Sequence, residues 1–351
     1  MINSVLIFDK SFDQMHKVPT SLKALVVKQF RSRDFEIVER AVPKLEHGEA
    51  LIKVHAAPIN PLDLLRIDGQ VPGLKLPFTP GSECSGIVID ANHHHKQRLL
   101  GKRVSSHAIG GGWAEYVVTK ADNMIVHENP DVDMDQAACG WVNPLTAYGM
   151  YFNAIHLLKS AGIAITAGNS NLAKTLLKIS NKEKTPLISI VRSQSKVAEL
   201  LELGQQEDRI LVSEDKEFPQ KYSELLNKYN VKVLYDCIAG PFAGTLLNGL
   251  PKGAKYFNFG SLSGEPIGGI DPTNMRFKEL SIQGYVVFNF IAGMQAEEKK
   301  CCLEYVRDNF ELIGQTQIIG STSFDAQQIG ECVEKYKQDM SKGKYLIKMS
   351  D

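Results

Sequence analysis

Residues 163–191 read IAITAGNSNLAKTLLKISNKEKTPLISIV, and the prediction of the fold starts from them. Residues 163–167 and 187–191 are short apolar, β-branched runs that predict buried strands. Residues 171–180 lie between them and have the apolar spacing of a helix. A strand, a helix and a second strand in this order form a crossover unit, since parallel strands need a connection that returns across the sheet. The stretch therefore predicts a parallel sheet covered by helices.

The same alternation continues downstream. Residues 209–212, 231–237 and 255–259 predict further strands, and residues 194–203, 218–229 and 241–250 predict the helices between them. An alternation of this length is typical of a doubly wound α/β domain. We therefore expect an α/β fold class with a doubly wound parallel sheet, which is the architecture of a Rossmann domain.

Upstream, the pattern is that of a β domain. Residues 25–27, 51–54, 85–89 and 113–119 are short β-branched runs bounded by Gly, Pro or Asp, as in an antiparallel barrel or sandwich. Asp133 can cap a helix that runs toward Tyr151. After the α/β region, residues 317–324, a helix over 325–340 and a strand over 344–348 return to the β domain. We expect an extension over 1–21, a β domain over 22–143 and 316–351, and an α/β domain over 144–315.

Composition excludes several classes of function. Among 351 residues, Lys+Arg and Asp+Glu are both 40, so the formal net charge is zero and nothing favours nucleic acid through charge. No apolar run is long enough to span a bilayer. The 6 cysteines are scattered, which favours reduced thiols over a disulfide framework. The first residues lack the basic flank of a secretory signal, and Asp9 and Asp13 make a poor mitochondrial presequence.

The turn after the first α/β strand is the expected cofactor site, because ligands bind at the carboxyl ends of the strands of such sheets. Against the dinucleotide fingerprint G-x-G-x-x-G, this turn keeps Gly168 and has Ser170 and Ala173 at the other glycine positions. A generic helix-starting turn would explain this partial match about as well.

The second α/β strand indicates which dinucleotide would bind. It is followed by Arg192, Ser193 and Lys196, with no acid at the position that would bind a ribose 2′-hydroxyl. Basic residues there suit a 2′-phosphate and favour NADPH over NADH. The alternative is that Arg192 and Lys196 are solvated residues at a helix start.

Several motifs in order resemble the zinc-independent medium-chain dehydrogenase/reductase family, specifically quinone oxidoreductases and mitochondrial enoyl-thioester reductases. The motifs are AAPINPLD at 56–63, LPFTPGSECSG at 76–86, GWAEY at 112–116, NPLTAY at 143–148 and GKY at 343–345. The resemblance covers almost the whole chain from Leu22 onward. It implies a GroES-like β-barrel catalytic domain beside the Rossmann domain, with NADPH as cofactor and no zinc.

The resemblance also assigns functional residues. It implies that Asn60 and Thr146 are polar groups near the substrate. Relatives carry a Tyr after the R-x-G-x segment, but Arg66-Ile67-Asp68-Gly69-Gln70 is followed here by Val71, which cannot donate a proton. The implied cofactor-binding residues are Gly168, Ser170, Asn171, Leu172, Arg192, Lys196 and Gly260.

Two classes of function follow from these motifs. One is an NADPH-dependent reductase of enones, enoyl thioesters or quinones, with weak turnover because Val71 replaces the Tyr. The other is a catalytically inactive relative that serves as a structural or accessory subunit of a larger assembly. The enoyl-reductase resemblance favours a mitochondrial location, with the cytoplasm as the alternative.

The partners that we expect are a small-molecule substrate and a further protein subunit. Relatives are typically dimers joined through the last strands of the Rossmann sheet. The run over residues 281–288 is apolar and β-prone, so an unpaired edge there would invite association with a copy of itself or with another subunit.

No metal site is expected. Zinc members of the superfamily use Cys, a His-Glu pair and another Cys, whereas the His-Glu position resembles Ser82-Glu83 here. His93, His94 and His95 are consecutive on a polar stretch and would point in different directions, so we interpret them as an incidental polar loop.

Overall fold

The computed structural model describes residues 18–108, 110–340 and 342–349. Most of the extension expected over 1–21 therefore lies outside the described residues, and Ser21 already belongs to the first strand. The chain divides into unit 1, Met1–Val142 with Gly314–Asp351, and unit 2, Asn143–Ile313. The sequence placed these breaks after residues 143 and 315.

The strands β1 to β15 are, in chain order, Ser21–Val26, Glu36–Ala41, Glu49–Pro58, Glu83–Asn92, Arg103–His107, Tyr116–Lys120, Ile125–His127, Ile163–Ile165, Leu187–Val191, Ile210–Val212, Val233–Asp236, Lys255–Asn258, Ser281–Gly284, Ile318–Ser323 and Lys344–Lys348. The helices α1 to α13 are Pro61–Ile67, Lys96–Leu99, Met134–Ala138, Val142–Tyr151, Asn171–Lys182, Val197–Glu202, Phe218–Lys228, Phe242–Gly249, Pro272–Phe277, Val287–Gly293, Ala296–Asp308, Phe310–Ile313 and Ala326–Asp339. A π-helical segment over Phe152–Leu157 follows α4.

Unit 1 is built on a sheet with the strand order β14-β15-β3-β4-β5-β7, and β6 also pairs with β3. Strands β3 and β4 are antiparallel and lie at its centre. At Gly86 in β4, a Cβ would lie 2.2 Å from the carbonyl oxygen of Lys53 in β3, so only glycine fits this crossing. The core on this sheet includes the fully buried Trp113, and α13 covers it with Ile329 and Val333.

The strand predicted over 113–119 begins only at Tyr116. Residue Trp113 instead lies in a loop, where its backbone N–H donates to the carbonyl of Pro80 and its own carbonyl accepts from the N–H of Leu25. These bonds fix the buried indole in the core without a continuous ladder. The strand therefore starts later than the β-prone composition predicts.

The single helix predicted from Asp133 toward Tyr151 is two helices. Asp133 does cap the first, because its side chain accepts hydrogen bonds from the N–H groups of Asp135 and Gln136. That helix, α3, ends at Ala138, and α4 begins at Val142. The break occurs where the backbone N–H groups of Trp141 and Val142 donate to the carboxylate of Glu83.

Unit 2 confirms the doubly wound α/β architecture. Its strands are all parallel and lie in the order β10-β9-β8-β11-β12-β13, with β8 and β11 at the centre. Helices α5, α7 and α8 contribute buried apolar residues around this sheet, including Leu176, Leu226 and Leu246. Strand β9 has the predicted bounds, and α5 begins at the predicted Asn171 and runs two residues beyond the predicted end, to Lys182.

The β-prone run over 281–288 is only partly a strand, and the prediction for its second half was wrong. Strand β13 ends at Gly284, and α10 begins at Val287. Tyr285 turns inward instead, with its ring centroid 5.3 Å from that of Tyr235 and 6.3 Å from that of Phe257. Burial of this aromatic ring outweighs the strand propensity of the residues after it.

No helix among the described residues is long and apolar enough to cross a membrane. The sheet of unit 2 ends at β13, which pairs with β12 on one side only. The sequence predicts a cofactor site at the carboxyl ends of the strands of this sheet.

Candidate functional site

Asn60 lies in a buried polar network of unit 1. Only 2% of the residue is exposed. Its amide nitrogen donates to Oε1 of Glu83 at 3.0 Å, and its amide oxygen accepts from the ammonium of Lys344. The side chain therefore has its polar atoms bonded within the protein. Its assignment as a substrate contact stays a prediction, and this geometry favours a role in holding the site together.

Glu83 joins the strands and helices of this network. Its Oε2 accepts from the backbone N–H groups of Trp141 at 3.0 Å and of Val142 at 2.7 Å. Burial raises the pKa of the Glu83 carboxyl, while these hydrogen bonds and the nearby Lys344 act in the opposite direction. Lys344 is buried too, and although burial alone opposes its charge, Tyr336, Cys139 and Glu83 leave its pKa raised.

Asp63 is the second buried carboxylate. Its Oδ2 accepts from the backbone N–H of Asn60 at 2.9 Å, and its Oδ1 accepts from the hydroxyl of Ser82 at 2.7 Å and the N–H of Gly81 at 3.2 Å. Burial raises the pKa of this carboxyl. Asp63 fixes the start of α1 against the loop that leads into β4, which positions Asn60.

Val71 follows α1 and is half-buried. Near it in the chain, Arg66 lies in the last turn of α1, and its guanidinium carbon is 5.5 Å from the ring centroid of Phe78. His107 at the end of β5 packs against Trp141 with ring centroids 5.4 Å apart. Sequence reasoning mentioned Arg66 only as part of a motif and did not identify His107, because neither has a diagnostic spacing.

The first turn of unit 2 has an unexpected conformation. The residue with a left-handed φ is Ala167, at 48°, and not the neighbouring Gly168. Gly168 is needed for close approach, because a Cβ there would lie 2.9 Å from the Cβ of Ser189 in β9. Ser170 is the N-cap of α5, and its hydroxyl accepts from the N–H of Ala173 at 3.2 Å. The two residues after it, Asn171 and Leu172, form the first turn of α5.

Arg192 emerges at the carboxyl end of β9 with a side chain that is 88% exposed. Its Nε lies 3.1 Å from a carboxylate oxygen of Glu214, which is itself largely exposed. Ser193 is half-buried, and Lys196 is exposed in the 3₁₀ turn that follows. These three residues lie on one short segment after β9, and their assignment to a 2′-phosphate stays a prediction.

Asp236, at the carboxyl end of β11, was missed by sequence reasoning. Its Oδ1 accepts from the hydroxyl of Thr166 at 2.6 Å, and its Oδ2 accepts from the hydroxyl of Tyr256 and from the N–H of Ala239 at 2.9 Å. It therefore ties the ends of β8, β11 and β12 together. Asp-Cys in 236–237 carries no recognisable motif, so only the strand prediction could have indicated it.

Gly260 and Thr146 are the two remaining assigned residues. Gly260 follows β12, and a Cβ there would lie 3.0 Å from the Cβ of Cys237, which explains the need for a small residue. Thr146 is buried within α4. Within the described residues no group of three or more His, Cys, Asp or Glu side chains could hold a metal ion.

Comparison with known proteins agrees with this architecture. Residues 46–131 match the family model of the alcohol dehydrogenase GroES-like domain. A mitochondrial enoyl-[acyl-carrier-protein] reductase of Caenorhabditis elegans is 28% identical over 293 residues, which cover 80% of this chain and 81% of the relative.

Two solved structures are similar over almost their whole length. A putative NADPH:quinone reductase from Bacillus thuringiensis has a TM-score of 0.80 at 22% identity, covering 94% of this chain and 99% of that chain. A mitochondrial 2-enoyl thioester reductase heterodimer, Etr1p/Etr2p from Candida tropicalis, has a TM-score of 0.74 at 22% identity, covering 93% and 99%. Together the comparisons confirm the resemblance and the fold that the motifs predicted.

The buried network of unit 1 generates a stability prediction. Replacing Lys344→Met removes a buried ammonium and leaves the Asn60 amide oxygen and the Glu83 charge without their partner. We expect a loss of about 3–5 kcal/mol in the free energy of unfolding, as for breaking other buried charge pairs. Urea unfolding of the full chain, followed by circular dichroism, measures it. Lys342→Met, at an exposed lysine of the same segment, is the control and should leave the midpoint almost unchanged. Equal midpoints for the two variants would contradict a structural role for the network.

Proposed function

We propose that this protein, which is of the medium-chain dehydrogenase/reductase type, is an NADPH-dependent, zinc-independent oxidoreductase that reduces enones, enoyl thioesters or quinones. The observation that supports this most is the group of donors at the carboxyl end of β9, where Arg192, Ser193 and Lys196 fit a 2′-phosphate. The names of the similar proteins, which are enoyl and quinone reductases, support the same reaction class.

The cofactor assignment rests on charge and on close approach. Arg192 is paired with the exposed Glu214, and an exposed pair of this kind separates at little cost when a phosphate arrives. Gly168 lets the turn lie tightly against β9, and α5 presents its first N–H groups at that turn, as in other phosphate-binding turns. When bound, NADPH would supply a hydride, and the residues of this chain would bind and orient it.

Proton supply distinguishes the acceptors. A hydride adds to an electron-poor carbon, and the displaced electron pair moves toward the carbonyl oxygen of the acceptor. A reduced quinone then takes a proton on oxygen, whereas the enolate of an enone or enoyl thioester takes it on the α-carbon. Val71 offers no proton, so in this proposal water delivers it. Quinones, whose reduced oxygens are readily protonated by water, should therefore be better acceptors than enoyl thioesters.

A location in mitochondria is part of the proposal, with the cytoplasm as the alternative. It is supported by similarity to proteins named as mitochondrial reductases.

Val71 is the feature that favours the other class of function, an inactive accessory subunit. Measuring turnover with variants of Val71 separates the two classes.

The first test concerns the cofactor. Arg192→Ala removes a charge-assisted contact to the 2′-phosphate, which contributes about 1.5–3 kcal/mol. The preference for NADPH over NADH should therefore shrink by about tenfold or more. Titration calorimetry with both dinucleotides measures it, and Arg276→Ala, at another exposed arginine of unit 2, is the control. Equal affinity of the native protein for NADPH and NADH, unaffected by Arg192→Ala, would make Arg192 an ordinary surface residue.

The second test concerns turnover. Val71→Tyr restores the side chain of the relatives, and a positioned general acid contributes roughly 10²–10⁴-fold. We expect this variant to gain enoyl-thioester reduction with NADPH, measured as NADPH oxidation, while quinone reduction changes less. Val71→Phe supplies the ring without the hydroxyl and is the matched control.

If the native protein and both variants are folded but oxidise no NADPH with any enone, quinone or thioester, the reductase proposal fails. The accessory-subunit hypothesis would then be the better one, and the proteins that co-purify with this chain would be its next test.

The third test concerns association. We propose a dimer, or a pairing with another subunit, through the free edge of β13, supported by the exposed Val286 beside it and by the heterodimer named among the similar structures. Gln283→Lys would bring like charges together across such an edge and should raise the dissociation constant at least tenfold in sedimentation experiments. Leu201→Lys, at an exposed leucine of unit 2, is the control. A monomer at micromolar concentration for the native protein would refute the proposal.

A further inference from the structure

Arg66 is a half-buried arginine of unit 1 that forms no ion pair with a carboxylate of the described residues. Its guanidinium lies over the ring of Phe78, 5.5 Å from the ring centroid. The position of Phe78 is fixed, because its backbone exchanges hydrogen bonds with Val27, at 2.9 and 3.2 Å. Its ring also packs near Phe30, with centroids 6.4 Å apart. The aromatic ring thus holds the guanidinium in place by a cation–π contact.

Asp63 acts on Arg66 through its charge but forms no ion pair with it. Asp63 is close enough for its charge to act on Arg66, but its oxygens are already bonded to Asn60, Gly81 and Ser82. No ion pair joins Arg66 to any carboxylate within residues 18–108, 110–340 and 342–349. Arginine in proteins keeps its charge at all ordinary pH, so a positive charge remains available here.

The neighbouring imidazole does not add a second charge. Burial, and to a smaller degree Arg66 itself, lowers the pKa of His107 to about 4. At neutral pH the ring against Trp141 is therefore uncharged. Asn60, the other polar side chain of the region, is already bonded to Glu83 and Lys344. Arg66 therefore carries a positive charge that a bound anion could neutralise.

The chemistry of the ligand follows from the shape of the Arg66 guanidinium. A guanidinium is planar and presents a fork of N–H donors that matches two oxygens of a flat anion, and an adjoining aromatic ring favours a flat ligand. We propose that Arg66 binds a planar oxyanion of the acceptor, either a carboxylate that the acceptor carries or the enolate oxygen that forms when it accepts a hydride. The second form rests on the function proposed above.

The role differs from that of the absent Tyr. As the hydride adds to carbon, the electron pair of the carbon–carbon double bond moves toward the carbonyl oxygen, which becomes negative. Arg66 would stabilise that charge through the N–H donors of its guanidinium. The proton that completes the product would still come from water.

Arg66→Gln tests the proposal with a matched pair of acceptors, benzoylacrylate and its methyl ester. Both carry an enone, and only the first carries a carboxylate. If Arg66 binds the carboxylate, KM for benzoylacrylate should rise about 10–100-fold, as for loss of one charged hydrogen bond, and the ester should be unaffected. If Arg66 stabilises the enolate, kcat should fall by a similar factor for both acceptors.

Arg98→Gln is the control for the charge change, since Arg98 is exposed on α2 of the same unit. Either of the two kinetic patterns, absent in Arg98→Gln, supports the proposal. Should Arg66→Gln fold poorly, Arg66→Lys keeps the charge and loses the planar fork, and it should show the same pattern with a smaller factor. Kinetic constants for Arg66→Gln and Arg66→Lys that match those of Arg98→Gln would overturn it.

A binding measurement separates this proposal from the proposed function. Benzoate, which cannot be reduced, is titrated into the protein without NADPH while tryptophan fluorescence is followed, because Trp141 packs against His107. Binding that is lost in Arg66→Gln supports the oxyanion site even if no acceptor is ever reduced. Normal reduction with kinetics and benzoate titrations indifferent to Arg66 would leave the proposed function standing and remove this site.

Discussion

Unit 1 depends on the hydrogen bonds that the buried carboxylate of Glu83 accepts. It accepts hydrogen bonds from the Asn60 amide and from the backbone N–H groups of Trp141 and Val142. Since Asn60 is in turn bonded to Lys344, one chain of polar contacts joins segments that are up to 284 residues apart. A buried carboxylate is tolerated only when its oxygens are bonded and a counter-charge is near, and the network supplies both. It also explains why the helix after Asp133 stops and restarts, because the N–H groups at the break are turned toward Glu83.

Unit 2 uses the same principle at the carboxyl ends of its strands. Asp236 bonds to Thr166, Tyr256 and the following turn, so the polar groups at the centre of the sheet satisfy one another. Gly168 lets the first turn approach β9 without a clash. The sheet thus provides a fixed backbone, and Arg192 emerges at the carboxyl end of β9 with its side chain largely in solvent.

The sequence allowed the fold to be predicted much further than the site. Alternating β-branched runs and helical spacing located β9 and α5 closely, because burial on both faces of a parallel sheet leaves a strong apolar signal. The same signal misled at 285–288, where Tyr285 turns into an aromatic cluster and a helix follows. Asn60 matched a motif by sequence, but its bonding to Glu83 and Lys344 depends on long-range pairing of β4 and β15 with β3, which no local pattern reveals.

Three cationic side chains, Lys344, Arg192 and Arg66, differ in how far their partners in the protein neutralise their charge. Lys344 is buried and bonded on several sides, so its charge is used to hold unit 1 together. Arg192 has one exposed partner that a phosphate can replace with little loss. Arg66 has an aromatic ring beneath it and is acted on by the charge of Asp63, but it forms no ion pair within the described residues. A side chain that the fold holds in place without neutralising it is pre-organised for a ligand, since little ordering remains to be done on binding. Val71 cannot supply a proton, so the contribution proposed for unit 1 is stabilisation of negative charge by Arg66.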